Sequence, residues 1–296
     1  MSAGTDLKFL FVINPGSGTD TPDWPGIITN YFKGLTHRVE MHLLSGDFNI
    51  QSIRKKIESY SPHRVIAVGG DGTIKLLAAC LMHTQRSLGI LPAGSANGLA
   101  KELGIPEDYE KALDVIVKGS LKKIHLLKIN DHVCIHLSDI GLNAHAVMKF
   151  ETLPSRGMWG YLRASLNVLR MNPQMKVEIV MNKTVIMRKA HMIVIANATR
   201  YGSGAVINPV GRLDDNLFEV VVVKEISLGE LFKMIFSHKP YDSNKTEVFQ
   251  TDVLSLRSGK KVHFQIDGEY LGKVNEVNVT ILPDALEIIV PTLPSS

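Results

Sequence analysis

Three short glycine-rich segments carry the residue types best suited to holding phosphate groups. Each of them follows an apolar run typical of a strand buried on both faces. Glycine lets backbone N–H groups approach an anion closely, and hydroxyl side chains add further donors. In a parallel sheet all three segments lie at one edge, where open α/β sheets bind ligands. We therefore predict that they wrap a nucleotide. The candidate contacts are Asn14, Pro15, Gly16, Ser17, Gly18, Gly69, Gly70, Gly72, Thr73, Ser95 and Asn97.

Acidic residues at two turns are candidates to complete such a site. Asp71 lies within the second glycine-rich segment, where its charge beside a phosphate is costly unless it binds a cation or takes a proton. Asp267-Gly268-Glu269 separates two strand-like runs, and on its own it fits a plain turn. A single glycine turn is likewise more often structural. Three such turns, one of them holding an aspartate, favour a binding site.

Several common catalytic motifs are absent from the sequence. There is no G-x-x-x-x-G-K-[ST], which excludes a P-loop, and no complete G-x-G-x-x-G, which disfavours a dehydrogenase. HExxH, paired CxxC and G-x-S-x-G are missing as well. The phosphate site therefore needs a different explanation.

The first part of the chain, up to about residue 125, alternates strand-like and helical patterns. Repeated β–α units predict a parallel, doubly wound sheet. The predicted strands are residues 8–13, 38–44, 65–68 and 88–91, and the predicted helices lie at 24–32, 50–57, 74–82, 99–103 and 109–117.

The second part has a different pattern. Residues 130–131 and 182–183 are hairpin signals between apolar runs. About nine strands with short turns, the last two at residues 277–281 and 286–290, favour an antiparallel β-sandwich. Only two helical stretches are expected, near residues 157–171 and 227–236.

The length of 296 residues favours two domains. We predict a nucleotide-binding α/β domain of Rossmann-like type over residues 1–125 and a β-sandwich lipid or substrate domain over residues 126–296. The cleft between two domains is the natural place for a site.

Composition and charge narrow the class of protein. With 45% hydrophobic and 21% charged residues, the chain is of ordinary globular type. The net charge of +4 is too weak to favour nucleic acid but permits attraction to anionic membranes. No apolar run approaches the ~18 residues of a transmembrane helix. Cys80 and Cys134 fit free core thiols in a reducing cytosol, so we expect a cytoplasmic protein. Edge strands of the sandwich would allow a homodimer without requiring one.

The ordered motifs resemble a known family, the diacylglycerol kinase catalytic domain, which includes bacterial soluble lipid kinases and sphingosine kinases. The resemblance covers nearly the whole chain in the right order. The segments that carry it are Asn14-Pro-Gly-Ser-Gly18, Gly69-Gly-Asp-Gly-Thr73, Pro92-Ala-Gly-Ser-Ala-Asn-Gly-Leu-Ala100, Leu213-Asp-Asp-Asn-Leu217 and Ile266-Asp-Gly-Glu269. Gly-Gly-Asp-Gly-Thr alone also occurs in NAD kinases.

The resemblance implies ATP- and Mg²⁺-dependent phosphorylation of a lipid hydroxyl, transiently at a membrane surface. Asp71 would lie beside the Mg·ATP phosphates, and Glu269 would be the general base, with Asp267 a weaker alternative. A carboxylate suits that role if partial burial raises its pKa. A second, structural Mg²⁺ would be held by Asp215 and by backbone carbonyls. Those carbonyls belong to Arg212 and Leu217, although a solvated turn without metal explains these residues equally. His42 lies near a nucleotide-contacting position of the family, although a lone exposed histidine is an alternative interpretation.

The sequence departs from the family at several places. Lys75-Leu76 stands where many relatives have Asn-Glu, and Gly98, His125 and Asn143 stand where acids are frequent. Fewer carboxylates change how a site handles metal and head group. Either the acceptor is unusual or the activity is reduced.

The stretch at residues 157–171 bears on access to lipid. Met158, Trp159, Leu162, Leu166 and Leu169 share one helical face, and arginines at 156, 163 and 170 share a neighbouring one. This pattern suits an interfacial helix. It equally suits a helix packed on the sandwich with solvated arginines.

Three functions remain open from the sequence. The first is a lipid kinase making phosphatidic acid or a relative. The second is a kinase for a soluble acceptor such as NAD or a sugar. The third is a nucleotide-binding regulatory module that has lost turnover.

Overall fold

The computed structural model describes residues 6–18, 22–45, 50–152, 158–171, 173–199, 211–226, 242 and 244–292. The chain forms two compact units. Met1–Ile124 and Asp284–Ser296 make up the first unit, and His125–Pro283 make up the second. The predicted boundaries placed all residues after 125 in the second domain, whereas residues 284–296 return to the first unit.

The first unit is built on a parallel sheet. Its strands are β1 Lys8–Ile13, β2 Arg38–Leu43, β3 Arg64–Gly69 and β4 Ser87–Pro92, in the spatial order β4-β3-β1-β2. Its helices are α1 Trp24–Phe32, α2 Ile50–Tyr60, α3 Asp71–Leu81, α4 Gly98–Glu102 and α5 Tyr109–Lys118. The predicted parallel α/β domain is therefore confirmed.

Apolar runs and helix caps explain these elements. All six residues of β4 are buried, as are the last five of β1 and of β3, which suits strands covered by helices on both faces. Asp23 caps α1 by accepting from Gly26 N, and Asp108 caps α5 by accepting from Lys111 N. These polar ends fix where each helix begins.

The strand order places a switch point between β1 and β3. From β1 the chain goes to β2 on one side and then crosses back to β3 and β4 on the other. Loops that leave β1 and β3 at their carboxyl ends therefore diverge, and the crevice between them is where open α/β sheets bind ligands. The first two glycine-rich segments follow these two strands.

The second unit is an antiparallel, β-sandwich-like assembly, as predicted. Its strand pairs run β12-β11-β10-β7-β13-β14, with β8 joining β13 to β9, and β5 pairing with β6 and β14. Its strands and helices are β5 Ser120–Ile129, β6 His132–Cys134, β7 Leu137–Gly141, α6 Leu142–Glu151, α7 Met158–Arg170, β8 Met175–Met181, β9 Thr184–Ala190, β10 Met192–Ala196, β11 Phe218–Val223, β12 Thr246–Thr251, β13 Val253–Ile266 and β14 Glu269–Val290. The start of β5, up to Ile124, and the end of β14, from Asp284, belong to the first unit, where Ile288 pairs in parallel with Leu88 of β4.

Two features of this unit differ from the sequence prediction. Helix α6 was not expected, because its first six residues are all buried and so leave no amphipathic stripe to recognise. The predicted strands at residues 277–281 and 286–290 form a single strand, β14. The helix predicted near residues 227–236 lies outside the described residues.

Candidate active site

The glycine-rich segments meet in a cavity of about 260 Å³ in the first unit. Five of the predicted contacts line it, together with three residues that were not predicted. The predicted residues are Asn14, Ser17, Gly70, Gly72 and Thr73, and the others are Leu44, Leu76 and Gly94. The cavity therefore lies at the switch point, where the turns after β1, β3 and β4 come together.

Two glycines allow the second and third turns to touch through their backbones. A Cβ built on Gly94 would lie only 2.4 Å from the Cα of Gly70, and one built on Gly70 would lie 3.1 Å from the Cα of Gly94. Neither backbone can give way cheaply, so both positions need glycine. In contrast, a Cβ on Gly72 would meet no atom within 4 Å. Gly72 borders open space in the cavity, which a side chain would fill.

The first and second turns are joined by side chains. Asn14 donates from Nδ2 to the Thr73 hydroxyl at 3.3 Å, and its Oδ1 accepts the Gly16 N–H at 3.1 Å. Gly69 lies under this contact, because a Cβ there would be 2.3 Å from Thr73 Oγ1 and 3.2 Å from Ser17 Oγ. The arrangement brings the hydroxyl groups of Ser17 and Thr73 to one wall beside the backbone of Gly70 and Gly72, which favours anion binding.

Asn97 holds the third turn rather than lining the cavity. Its Oδ1 accepts the Gly94 N–H and its Nδ2 donates to the Gly94 carbonyl, both at 2.9 Å. It does so from a left-handed conformation with φ of 51°, which asparagine tolerates better than most residues. Ser95 at the tip of this turn is exposed.

The Asp71 carboxylate is bound to the start of α4. Its Oδ2 accepts the Gly98 N–H and its Oδ1 accepts the Leu99 N–H, each at 3.0 Å. The sequence prediction placed Asp71 beside the Mg·ATP phosphates, and in the structure both carboxylate oxygens accept backbone N–H donors. Asp71 therefore positions the third segment relative to the second.

The remaining predicted nucleotide contacts lie at the margin of the cavity or away from it. Pro15 and Gly16 are exposed in the turn after β1, and Gly18 ends that turn with φ of 79°. His42 lies on β2 opposite Val12 and is half-buried. None of these four predicted residues is among those that line the cavity.

The Asp267-Gly268 turn joins β13 to β14 and ends at the predicted base. Both turn residues have positive φ, 50° and 83°, as a tight two-residue hairpin requires. Glu269 pairs with Ile266 across the hairpin and its side chain is exposed, so the partial burial expected of it is not observed. The Asp267 carboxylate accepts backbone N–H groups from Ile135, His136 and Leu137 at 2.9–3.3 Å. This structural role disfavours Asp267 as the base.

A buried carboxylate behind this turn was missed in the sequence. Asp139 on β7 is fully buried and accepts hydrogen bonds from Asn143 Nδ2, Gln265 Nε2 and Ala144 N. Gln265 in turn accepts the Gly268 N–H at 2.7 Å. Burial raises the pKa of Asp139 to about 6, although its hydrogen bonds oppose the shift. The network connects α6 to the turn that presents Glu269. Asn143, four residues after an acid inside an apolar run, was the available signal.

The network also explains one of the departures from the family. Asn143 supplies an amide donor to Asp139 at a position where the family resemblance led us to expect an acid. A second carboxylate at this position would place like charges in contact in a buried site. The neutral amide therefore suits a buried Asp139. His125, another departure, is a buried residue whose N–H donates to the Leu213 carbonyl at 2.7 Å.

The predicted metal turn is an exposed loop before β11. Asp215 is half-buried and accepts the Leu217 N–H at 3.4 Å, while Arg212 is paired with Asp214 at 3.1 Å. Within the described ranges, no three His, Cys, Asp or Glu side chains cluster as a metal site would need. The predicted site uses a single carboxylate with backbone carbonyls, and the oxygen of Asp215 is of the type that Mg²⁺ prefers.

Part of α7 packs against the core of the second unit. Val168 is buried, and Leu166 and Leu169 lie against the same cluster, whereas Arg163 and Arg170 are exposed. Residue 156 and the side chains at 158, 159 and 162 lie outside the described part of the chain. Across the described residues, no helix is long and apolar enough to span a membrane.

Comparison with protein families gives two adjoining matches. Residues 8–129 match the diacylglycerol kinase catalytic domain, and residues 139–290 match the YegS C-terminal NAD kinase beta sandwich-like domain. The matches fall in the α/β part and in the β-sandwich-like part, respectively.

Individual relatives agree with these matches. A diacylglycerol kinase of Staphylococcus saprophyticus is 26% identical over 256 residues, covering 83% of this chain and 82% of its own. An uncharacterized protein of Synechocystis sp. is 28% identical over 242 residues, and the match spans 54% of that protein's length. A crystal structure titled as a diacylglycerol kinase from Bacillus anthracis matches the fold with a TM-score of 0.72, at 18% identity and over 97% of each chain.

Proposed function

The chain belongs to the diacylglycerol kinase catalytic domain family with a YegS-type C-terminal domain, and from that premise we propose that it is an ATP- and Mg²⁺-dependent lipid kinase. The acceptor is a diacylglycerol-like hydroxyl at a membrane surface, and the product is phosphatidic acid or a relative. The observation that carries the proposal is the glycine-walled cavity at the switch point between β1 and β3.

The cavity suits the phosphate chain of ATP. Its volume of about 260 Å³ is below the range of whole-ligand pockets, roughly 300–1,000 Å³, so it fits part of the nucleotide. Thr73 and Ser17 offer hydroxyl donors, and Gly72 leaves the backbone open to an incoming oxygen. Phosphoryl transfer depends mainly on positioning the phosphates and on stabilising the negative charge spread over their oxygens. The hydroxyl donors and the open backbone of this wall suit both tasks.

Mg²⁺ fits the residues through oxygen ligands. It would neutralise charge on the phosphates and help to align them for transfer. Asp71 is the carboxylate nearest in sequence to the cavity wall, and its two amide partners fix its orientation. Asp215 would hold the second ion together with the carbonyl oxygens of Arg212 and Leu217. Both assignments are part of the proposal.

Glu269 is the proposed general base for the acceptor hydroxyl. It is exposed, and the Gln265–Asp139 network holds the turn before it. A carboxylate works best as a general base when it is shielded from water, so the bound acceptor must cover Glu269.

The second candidate function is that of a nucleotide-binding regulatory module that has lost turnover. The observation that favours it is the Asp71 carboxylate, both of whose oxygens already accept backbone N–H groups. On this alternative, the cavity binds nucleotide for regulation and no phosphoryl group is transferred.

ATP consumption by the purified chain distinguishes the candidates. It is measured with Mg²⁺ and a panel of lipid hydroxyls in detergent micelles, then with NAD and sugars instead. The proposal predicts turnover stimulated by lipid only. Turnover with soluble acceptors alone would replace it with a soluble-acceptor kinase. Nucleotide binding without turnover under every condition would favour the regulatory module.

A further inference from the structure

A second cavity, of about 150 Å³, lies in the second unit and is lined by three histidines and a lysine. The histidines are His145, His191 and His263, and the lysine is Lys261. They come from α6, from the residue before β10 and from β13. None of them takes part in the proposed phosphoryl transfer, so their grouping needs its own explanation.

Two of the imidazole rings are stacked. The rings of His145 and His263 lie 4.0 Å apart between centroids, with planes only 4° from parallel. Nδ1 of His263 is hydrogen-bonded to the Tyr270 hydroxyl at 2.9 Å, which fixes that ring. Two positive charges at this separation repel each other, so the empty pair is at most singly charged.

The third histidine, His191, has a partner at each ring nitrogen. Its Nδ1 lies 2.8 Å from the Pro173 carbonyl, to which it donates. Its Nε2 lies 3.3 Å from the Gln174 amide nitrogen. Both ring nitrogens are thus occupied, so His191 is a fixed wall of the cavity.

Lysines from three elements surround the stacked pair. Lys149 follows His145 by four residues on α6 and so shares its helix face. Lys273 is paired directly with His263 between β13 and β14, and Lys261 lines the cavity itself. Among the described residues that line the cavity there is no carboxylate.

The pKa values of the two stacked imidazoles reflect these positive surroundings. Burial first, and then the nearby His145, Lys273 and Lys149, together lower the pKa of His263 to about 4. Burial and the same two lysines also lower the pKa of His145. One acid lies close by, since Glu151 accepts the Tyr270 N–H at 3.2 Å. Three lysines against one glutamate leave the pocket electropositive.

We propose that this cavity binds an oxyanion of the phosphate class, held by the His145–His263 pair and by Lys261 and Lys273. The volume corresponds to the liquid-phase share of about five water molecules, enough for one tetrahedral oxyanion. An anion offsets the repulsion among the lysines and allows an imidazole to become charged, giving charge-assisted hydrogen bonds. A phosphate group on a lipid head group and free phosphate share this chemistry.

The test follows the imidazole signals of His145 and His263 by NMR in the full chain. Inorganic phosphate is titrated, and sulfate is titrated in parallel because its charge does not change near neutral pH. His145→Phe and His263→Phe assign the signals while keeping an aromatic ring. The expected result is a saturable shift, with both rings taking up protons more readily when the anion is bound and with tighter binding at pH 6 than at pH 8.

Variants of the exposed lysines separate binding from folding. Lys261→Gln combined with Lys273→Gln should weaken the anion roughly five- to tenfold, because two charge-assisted contacts are lost. Lys128→Gln, the same change on an exposed residue of β5, should leave the affinity within about twofold. Signals that stay unmoved up to about 10 mM of either anion, or equal binding by all variants, would overturn the proposal.

Vesicles identify the source of the phosphate group. Vesicles of phosphatidylcholine containing phosphatidic acid are compared with phosphatidylcholine alone, with inorganic phosphate as competitor. A shift of the same signals by phosphatidic acid, reversed by phosphate, assigns the site to a lipid head group. A shift with phosphate only assigns it to the free anion, and either result supports the site.

Discussion

Replacing Gly72 by alanine tests the phosphate cavity with the least disturbance of the fold. The new Cβ meets no atom within 4 Å, and the residue lies in the first turn of α3. We therefore expect the free energy of unfolding to stay the same or rise by up to about 1 kcal/mol, because alanine is the better helix former. The methyl group instead enters the cavity that Gly72 lines.

The loss of nucleotide affinity follows from that position. A methyl group that keeps one phosphate oxygen from its N–H donor costs about 1.5–3 kcal/mol, which is the range for a hydrogen bond to a charged group. This corresponds to a Kd roughly 10- to 150-fold higher. Calorimetric titration with Mg·ATP measures it, and urea unfolding of the same sample gives the stability.

Gly94→Ala is the matched control at the same cavity. Its Cβ would lie 2.4 Å from the Cα of Gly70, so the two turns must separate. We expect a loss of roughly 1–3 kcal/mol in stability, as for other overpacked sites. Wild-type affinity in Gly72→Ala would refute the assignment of the cavity to phosphate. Equal destabilisation by both substitutions would refute the steric argument.

Three further predictions concern other parts of the molecule. Asp71→Ala should cost about 1–2 kcal/mol in urea unfolding, because two backbone N–H groups at α4 lose their acceptor, and should remove most ATP turnover; full turnover would remove Asp71 from the site. The pKa of Asp139 is raised to about 6, so the folded protein binds this proton more tightly than the unfolded chain does. The free energy of unfolding should therefore fall by up to about 3 kcal/mol between pH 4 and pH 6 and then level off. Urea unfolding across this pH range tests the prediction, and the same fall in Asp139→Asn would contradict it. Arg163→Glu on the exposed face of α7 should weaken binding to anionic vesicles severalfold at low salt without a change in stability. The reason is that each basic residue near such a surface contributes about 1 kcal/mol to binding. Unchanged sedimentation with vesicles would exclude α7 as a membrane contact.

The parallel unit was predictable from the sequence because its signals are local. Strands β1, β3 and β4 are apolar runs that end in glycine or proline turns, and periodicity reveals the helices between them. The convergence of the three turns follows from parallel pairing alone. The partners of Asp71 do not, because its amide donors lie 27 and 28 residues further along the chain. Sequence spacing identifies the acid but not what it holds.

The second unit was predictable in class but less so in detail. The two-residue hairpins at residues 130–131 and 182–183 form as expected, and Asn130, Asn182 and Lys183 adopt the positive φ that such turns favour. Helix α6 was not predicted, because the burial of its first six residues removes the alternation of apolar and polar residues that reveals an amphipathic helix. Asp139 was missed for a different reason: Asn143 was a local signal, but the second amide, Gln265, lies 126 residues further along the chain.

The most direct test of the central claim is transfer of labelled γ-phosphate from ATP to diacylglycerol in mixed micelles. The account predicts a labelled lipid product with the wild-type chain and a loss of roughly 10²- to 10⁴-fold in rate for Glu269→Gln, the range for a general base. Glu276→Gln, which changes another exposed glutamate of β14, should keep the rate. No labelled lipid from a chain that binds Mg·ATP, or equal rates for Glu269→Gln and the wild type, would contradict the account.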